Sequence, residues 1–284
     1  MKKIYISDLD GTLLTENANL SDYSKQELNE LINEHNINFT VATARNVYSI
    51  KEMFKGIELK LPVIEFNGSF ITDIKTGEKL ITNNIDENIV EELLKLFNDY
   101  EQFPLISSFN GVETNLYYKE NISEGMDLYL KDRREINQNT LINAKLNKNY
   151  LNEKVICFTL INKKEYLDEL VVKIKEVFGV HLNIYYSKDI YYTDWYWASI
   201  YSSKAKKGNA IKELVKLLNM NDYDLTVFGD HNNDIDMFKM ADNSIAVGNA
   251  QQELKDYADL VIGTNKEDSV VKYIKQDLIK KVEK

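Results

Sequence analysis

Cysteine is almost absent from this chain. Cys157 stands alone, so no internal disulfide and no C-x-x-C metal or redox pair is available. It lies in the apolar run Val155-Ile156-Cys157-Phe158, which reads as a buried structural thiol. Two prolines and 11 glycines in 284 residues exclude collagen-like sequence and any flexible linker built from those residues. No apolar run approaches the roughly 20 residues needed to span a bilayer. The N-terminal Met1-Lys2-Lys3-Ile4-Tyr5-Ile6 turns acidic at Asp8, too soon for a signal-peptide apolar region, so a cytoplasmic location is expected. Positive charge is also short. Lys+Arg number 35 against 45 Asp+Glu, a formal net charge of −10. That excess works against binding to nucleic acid or anionic membrane and leaves metal cations and small substrates as the expected partners. Nothing in the sequence reports the oligomeric state.

What is present is a composition of 44% hydrophobic and 28% charged residues, that of a globular protein. At both ends of the chain, short apolar runs alternate with amphipathic stretches. Lys3–Ser7, 37–42 and 61–66 read as strands, with helices over 21–35 and 46–54, and Ser24 with Glu27 as a capping box for the first. The rhythm returns after residue 202. Helices are expected over 207–218, 235–240, 251–257 and 267–282, and strands over 225–228, 244–247 and 260–262. Such alternation implies βαβ units and a parallel sheet. The middle differs. Strand-like segments over 155–161, 181–187 and 190–202 are longer and rich in tyrosine, with helices near 87–98 and 164–178. The predicted fold class is α/β: a discontinuous Rossmann-like core, 1–84 plus 202–284, with an inserted α+β cap over 85–201.

Four short constellations carry candidate chemistry. Asp8-Leu9-Asp10-Gly11-Thr12 follows the first strand, at the end where open α/β sheets place ligands. A turn at Gly11 lets the two carboxylates converge, and converging carboxylates call for a cation or a proton between them. Hard oxygen ligands select Mg²⁺. The competing reading is an Asx-turn begun by Asp10. Gly229-Asp230-His231-Asn232-Asn233-Asp234 is a second acidic loop after a strand, read either as capping residues or as Asp230 and Asp234 completing the same cation site. Thr43 lies just past the second strand, either capping a helix or donating to a phosphate oxygen. Lys207 opens a helix, either as a solvated lysine or as a point charge aimed at the same end of the sheet.

In this order the four pieces resemble the haloacid dehalogenase superfamily of phosphatases, and more narrowly its Cof-type subfamily, which carries a large α/β cap between the second and third motifs. The resemblance covers the whole chain. It implies that Asp8 is a nucleophile forming an aspartyl-phosphate, and that Asp10 is the acid for the leaving oxygen and then the base for water. Mg²⁺ would be bound by Asp8, the backbone carbonyl of Asp10 and Asp230, with Asp234 holding its waters. Lys207 would neutralise the phosphate and Thr43 orient it, with Asn233 at the phosphate end or on Lys207. Asn67 of the Asn67-Gly68 pair would lie near the substrate, a structural turn being the equal alternative. Arg45 would hold the leaving group or a cap loop.

Ala44 stands where the family's second motif has glycine, and it would be strained if the position needs positive φ. His231 reads as incidental. The implied activity is Mg²⁺-dependent hydrolysis of small phosphomonoesters, sugar phosphates or related metabolites, with the cap setting specificity. Phosphoryl transfer to a second hydroxyl, as in a phosphomutase, and a non-catalytic sensor of sugar phosphates are the competing functions. A receiver domain is disfavoured by length and by the D-x-D-G-T at the first strand. The cluster Trp195-Tyr196-Trp197 reads as cap-sheet packing ahead of a ligand-stacking surface.

Overall fold

The structure is a computed structural model and describes residues 3–120, 123–136, 140–189, 194–220 and 222–282. It divides into two compact units, one formed by the chain up to Thr82 and again from Lys206, the other by Asn83–Ala205. No helix among the described residues is long and apolar enough to cross a membrane.

The first unit is built on a five-stranded parallel sheet. The Lys3–Ser7 strand lies between Asp224–Gly229 and Asn38–Val41, and Asn243–Ala246 and Leu260–Val261 extend the far edge. The inner strands of a parallel sheet covered on both faces bury side chains on both sides. Accordingly Ile4, Tyr5, Ile6, Val41, Val227 and Phe228 are all buried. The helices Asp22–Asn33, Val47–Met53, Lys207–Leu217 and Ser269–Val282 belong to this unit. Sequence patterning misplaces two features here. The first helix is capped by Ser21, whose hydroxyl accepts from the Ser24 amide at 2.9 Å, and no Ser24–Glu27 box forms; Glu27 pairs instead with Lys275 at 2.6 Å. The third strand, Val63–Glu65, touches the main sheet through a single bridge from Ile64 to Ala42. Its main partner is antiparallel: Phe70–Thr72, which pairs in turn with Lys79–Thr82. The turn of that hairpin is set by Asp73, which accepts from the amides of Lys75 and Thr76, and by Gly77 at φ +82°.

The second unit is a six-stranded sheet in which every pairing is antiparallel except Thr114–Tyr118 with Leu141–Asn143. Helices Glu87–Asp99 and Lys164–Phe178 bury Leu93, Phe97, Leu167, Leu170 and Ile174 in its core. A third helix, Glu124–Ile136, has no counterpart in the sequence reading. The strand expected over 190–202 spans Tyr196–Ser202; residues 190–193 lie outside the described ones. Trp195 is buried in this core, and the Trp197 indole donates to Asp189 and meets the Tyr129 ring edge-on at 5.2 Å. Cys157 is buried as its apolar neighbours suggest, and burial pushes its thiol up to about 11.

Candidate active site

The site grows from the C-terminal ends of two adjacent parallel strands. Pairing of Ser7 with Phe228 brings the next residues, Asp8 and Gly229-Asp230, side by side across more than two hundred positions of sequence. The Asp8 amide donates to the Phe228 carbonyl at 3.0 Å. Residues 9–13 then fold into one wide turn, closed by the Leu14 amide on the Leu9 carbonyl at 2.9 Å. Gly11 sits at φ +73°, and a β-carbon there would lie 2.3 Å from Asp230 Oδ2. Glycine is therefore required twice, once by the backbone and once by the approach of a carboxylate.

Oxygens of Asp8, Asp230 and Asp234 all lie within 4.8 Å of one another. Lys207 is fully buried at the first position of its helix, and its Nζ is 2.7 Å from Asp8 Oδ1 and 2.7 Å from Asp234 Oδ1. The other oxygen of Asp234 accepts from the amides of Asp230 at 2.9 Å and His231 at 3.1 Å, which shapes the 229–234 loop. Asp230 accepts from the Thr12 hydroxyl at 3.0 Å. One ammonium thus stands against three clustered carboxylates. Burial raises Asp8 to about 7, with Lys207 opposing that rise and Asp234 adding to it. Burial, and then the charges of Asp8 and Asp234, push Asp230 well above the ordinary carboxylate range. Burial works against the Lys207 charge, but Asp234 and Asp8 outweigh it and hold the ammonium above its usual range. A cluster of oxygen donors with an excess of negative charge fits a hard divalent cation.

Asp10 is not one of the three residues of this cluster. Its carboxylate is gripped by Arg45, with Nε 2.7 Å from Oδ2 and Nη2 2.6 Å from Oδ1. Thr43 is buried at the end of its strand and is not a helix cap; that place belongs to Asn46, whose side chain accepts from the Ser49 amide. The Thr43 hydroxyl accepts from the Arg45 amide at 3.2 Å. Ala44 is not among the positive-φ residues, so its replacement of glycine brings no strain there. Asn67, at φ +53°, is buried, and its side-chain oxygen accepts from Asn233 at 3.1 Å. Gly68 serves as a turn residue. At φ +100° its β-carbon would meet the Lys206 carbonyl at 2.5 Å.

The sequence-predicted residues Asp8, Asp10, Thr43, Arg45, Asn67, Lys207, Asp230, Asn233 and Asp234 all fall within the first unit. The Lys207 ammonium pairs with the Asp8 and Asp234 carboxylates, and the Asn233 side chain donates to Asn67. Asn249 escaped the sequence reading. Its amide donates to the Gly11 carbonyl at 2.7 Å and its oxygen accepts from the Asn265 amide at 2.9 Å. Its signal was a polar residue just past a strand, in Gly248-Asn249-Ala250.

The family profile described as haloacid dehalogenase-like hydrolase matches residues 5–274. A protein of Buchnera aphidicola subsp. Baizongia pistaciae is 31% identical over 288 residues, covering 99% of this chain and 100% of its own. Two Bacillus subtilis relatives are the phosphatase YwpJ and the 5-amino-6-(5-phospho-D-ribitylamino)uracil phosphatase YitU. YwpJ is 26% identical and covers 96% of this chain and 99% of its own; YitU is 24% identical and covers 95% of each. Among solved structures, a haloacid dehalogenase-like hydrolase from B. subtilis superposes with a TM-score of 0.75 at 25% identity, covering 97% of this chain and 99% of its own. The protein TM0651 from Thermotoga maritima shares the fold, with a TM-score of 0.77 at 21% identity over 97% of both chains. The chain belongs to the haloacid dehalogenase-like hydrolase family. Within it, the chain is an enzyme of the phosphoric monoester hydrolase class.

Proposed function

We propose that the protein is a cytoplasmic, Mg²⁺-dependent phosphatase of small phosphorylated metabolites, sugar phosphates or related compounds, with the 85–201 insert selecting among them. One observation carries the reading: a fully buried lysine bridges Asp8 and Asp234 beside Asp230, at the end of the sheet where the aspartate turn begins. Asp8, Asp230 and Asp234, with the backbone carbonyl of Asp10, would hold the cation. When bound, it would neutralise the repulsion between an anionic carboxylate and an anionic phosphate. Asp8 attacks phosphorus; its oxygen–phosphorus bond forms as the bond to the leaving oxygen breaks, and Asp10 delivers a proton to that oxygen. Asp10 then takes a proton from water, which attacks phosphorus and breaks the bond to Asp8. Arg45 holds both oxygens of the Asp10 carboxylate and so fixes its orientation. Lys207 supplies fixed positive charge, and Thr43 orients the phosphate once its hydroxyl turns to donate.

The test is phosphate release from p-nitrophenyl phosphate, with and without Mg²⁺, by wild type and Asp8→Asn. Hydrolysis by wild type alone, lost with chelator, supports the reading. Activity that survives the substitution refutes the assigned nucleophile, and no activity in either protein favours a phosphate sensor.

A further inference from the structure

Glu65 is a carboxylate with no exposed surface, seated on the short strand behind the loop that carries Thr43 and Arg45. Its Oε2 accepts from the Val47 amide at 2.5 Å, the first residue of the helix that follows that loop. Its Oε1 accepts from the Thr72 hydroxyl and from the Lys79 ammonium, both on the adjoining hairpin. The Lys79 side chain is 6% exposed, and its ammonium lies 4.5 Å over the Phe70 ring. A charge pair removed from water to this degree is costly to assemble and costly to break on one side only. The three residues after Glu65 lie in left-handed backbone: Phe66 at +50°, Asn67 at +53° and Gly68 at +100°. Two of their amides return to the same loop, Phe66 to the Arg45 carbonyl at 3.2 Å and Asn67 to the Thr43 carbonyl at 2.9 Å. The loop that presents Arg45 to Asp10 is therefore tied at Thr43, Arg45 and Val47 to the segment Glu65–Asn67.

We infer that Glu65 is a positioning residue: anchored by Lys79 and Thr72, it fixes the 43–47 loop so that Arg45 orients the Asp10 carboxylate. This deepens the proposed phosphatase reading and rests on it. Glu65 touches neither substrate nor reacting atoms. Its effect runs through the Arg45 backbone to Asp10, and so belongs to the step in which Asp10 protonates the leaving oxygen. A poor leaving group needs that proton far more than a good one.

The test compares kcat/KM for phenyl phosphate and p-nitrophenyl phosphate in wild type, Glu65→Gln and Glu65→Gln/Lys79→Met. The double variant removes the buried pair whole, so folding does not depend on an unpaired ammonium. In both variants the Val47 amide loses its charged acceptor. We expect kcat/KM for phenyl phosphate to fall about tenfold and that for p-nitrophenyl phosphate less than about threefold. Equal losses on the two substrates, or no loss, in either variant that melts cooperatively would overturn the inference, since a merely structural role does not distinguish leaving groups. If wild type hydrolyses neither ester, the phosphatase reading itself fails, which is a different result.

Discussion

Arg45 grips Asp10 through both edges of the fork, Nε to Oδ2 at 2.7 Å and Nη2 to Oδ1 at 2.6 Å. Both side chains remain about a quarter exposed, at 23% and 26%, so the pair adds little to stability. Its value is directional, because only a planar guanidinium fixes both oxygens of a carboxylate at once. Arg45→Lys keeps the charge and loses that geometry. We expect kcat/KM for phenyl phosphate to fall by roughly tenfold to a hundredfold, with the melting temperature nearly unchanged. A matching loss of thermal stability would mean that the pair is structural.

Lys207 answers Asp8 and Asp234 but not Asp230, whose nearest donor is the Thr12 hydroxyl. A cation seated among the three carboxylates stabilises the folded state by mass action, about 2.7 kcal/mol at a hundred times its dissociation constant. Titration with Mg²⁺ is therefore expected to raise the melting temperature of wild type, and to raise that of Asp230→Asn much less. An equal rise in the two proteins would place the cation elsewhere.

Gly11 is the point where the aspartate turn meets the second acidic loop. Gly11→Ala introduces a β-carbon 2.3 Å from Asp230 Oδ2 on a backbone at φ +73°. The expected cost is about 1–3 kcal/mol of stability by urea denaturation. Phosphatase activity should fall at least about a hundredfold, because the displaced carboxylate belongs to the site. An active, stable variant would show that the turn does not define it.

Far from the site, Asp259 accepts from both the amide and the hydroxyl of Ser244 at 2.7 Å, and the amide bond above all holds its carboxyl below the usual carboxylate range. A depressed folded-state value gives stability that is present above the unfolded value, near 4, and is lost as pH falls through the folded one. Asp259→Asn is thus expected to lower the melting temperature at pH 7, with the difference from wild type closing as pH drops from about 4 toward 3. A difference that persists unchanged at low pH would contradict this.

How much of this was legible in the sequence differs residue by residue. Asp8, Asp10 and Gly11 were readable because their relation is local: two carboxylates and a turn glycine after an apolar strand. The fold class was readable because strand and helix periods alternate at both ends of the chain. Lys207 looks alone like a member of the run Lys204-Ala205-Lys206-Lys207, and only the order of the motifs distinguishes it. Its complete burial comes from two partners on distant segments. Glu65 was invisible for the same reason. Within Val63-Ile64-Glu65-Phe66 it reads as the solvent-facing residue of a strand, and nothing local announces Lys79. The hairpin at 70–82 could have been found from Asp73 and Gly77, which set its turn. The grip of Arg45 on Asp10 depends on tertiary packing of a loop and has no local signature.

The central claim is that Asp8 carries the phosphoryl group. Acid-quenching the enzyme with Mg²⁺ and p-nitrophenyl phosphate during turnover, followed by mass analysis of its peptides, tests this most directly. A phosphoryl adduct is expected on the peptide containing Asp8, absent from Asp8→Asn and increased in Asp10→Asn, where water lacks its base. Phosphate release by wild type without any adduct, with Asp8→Asn still active, would contradict the account.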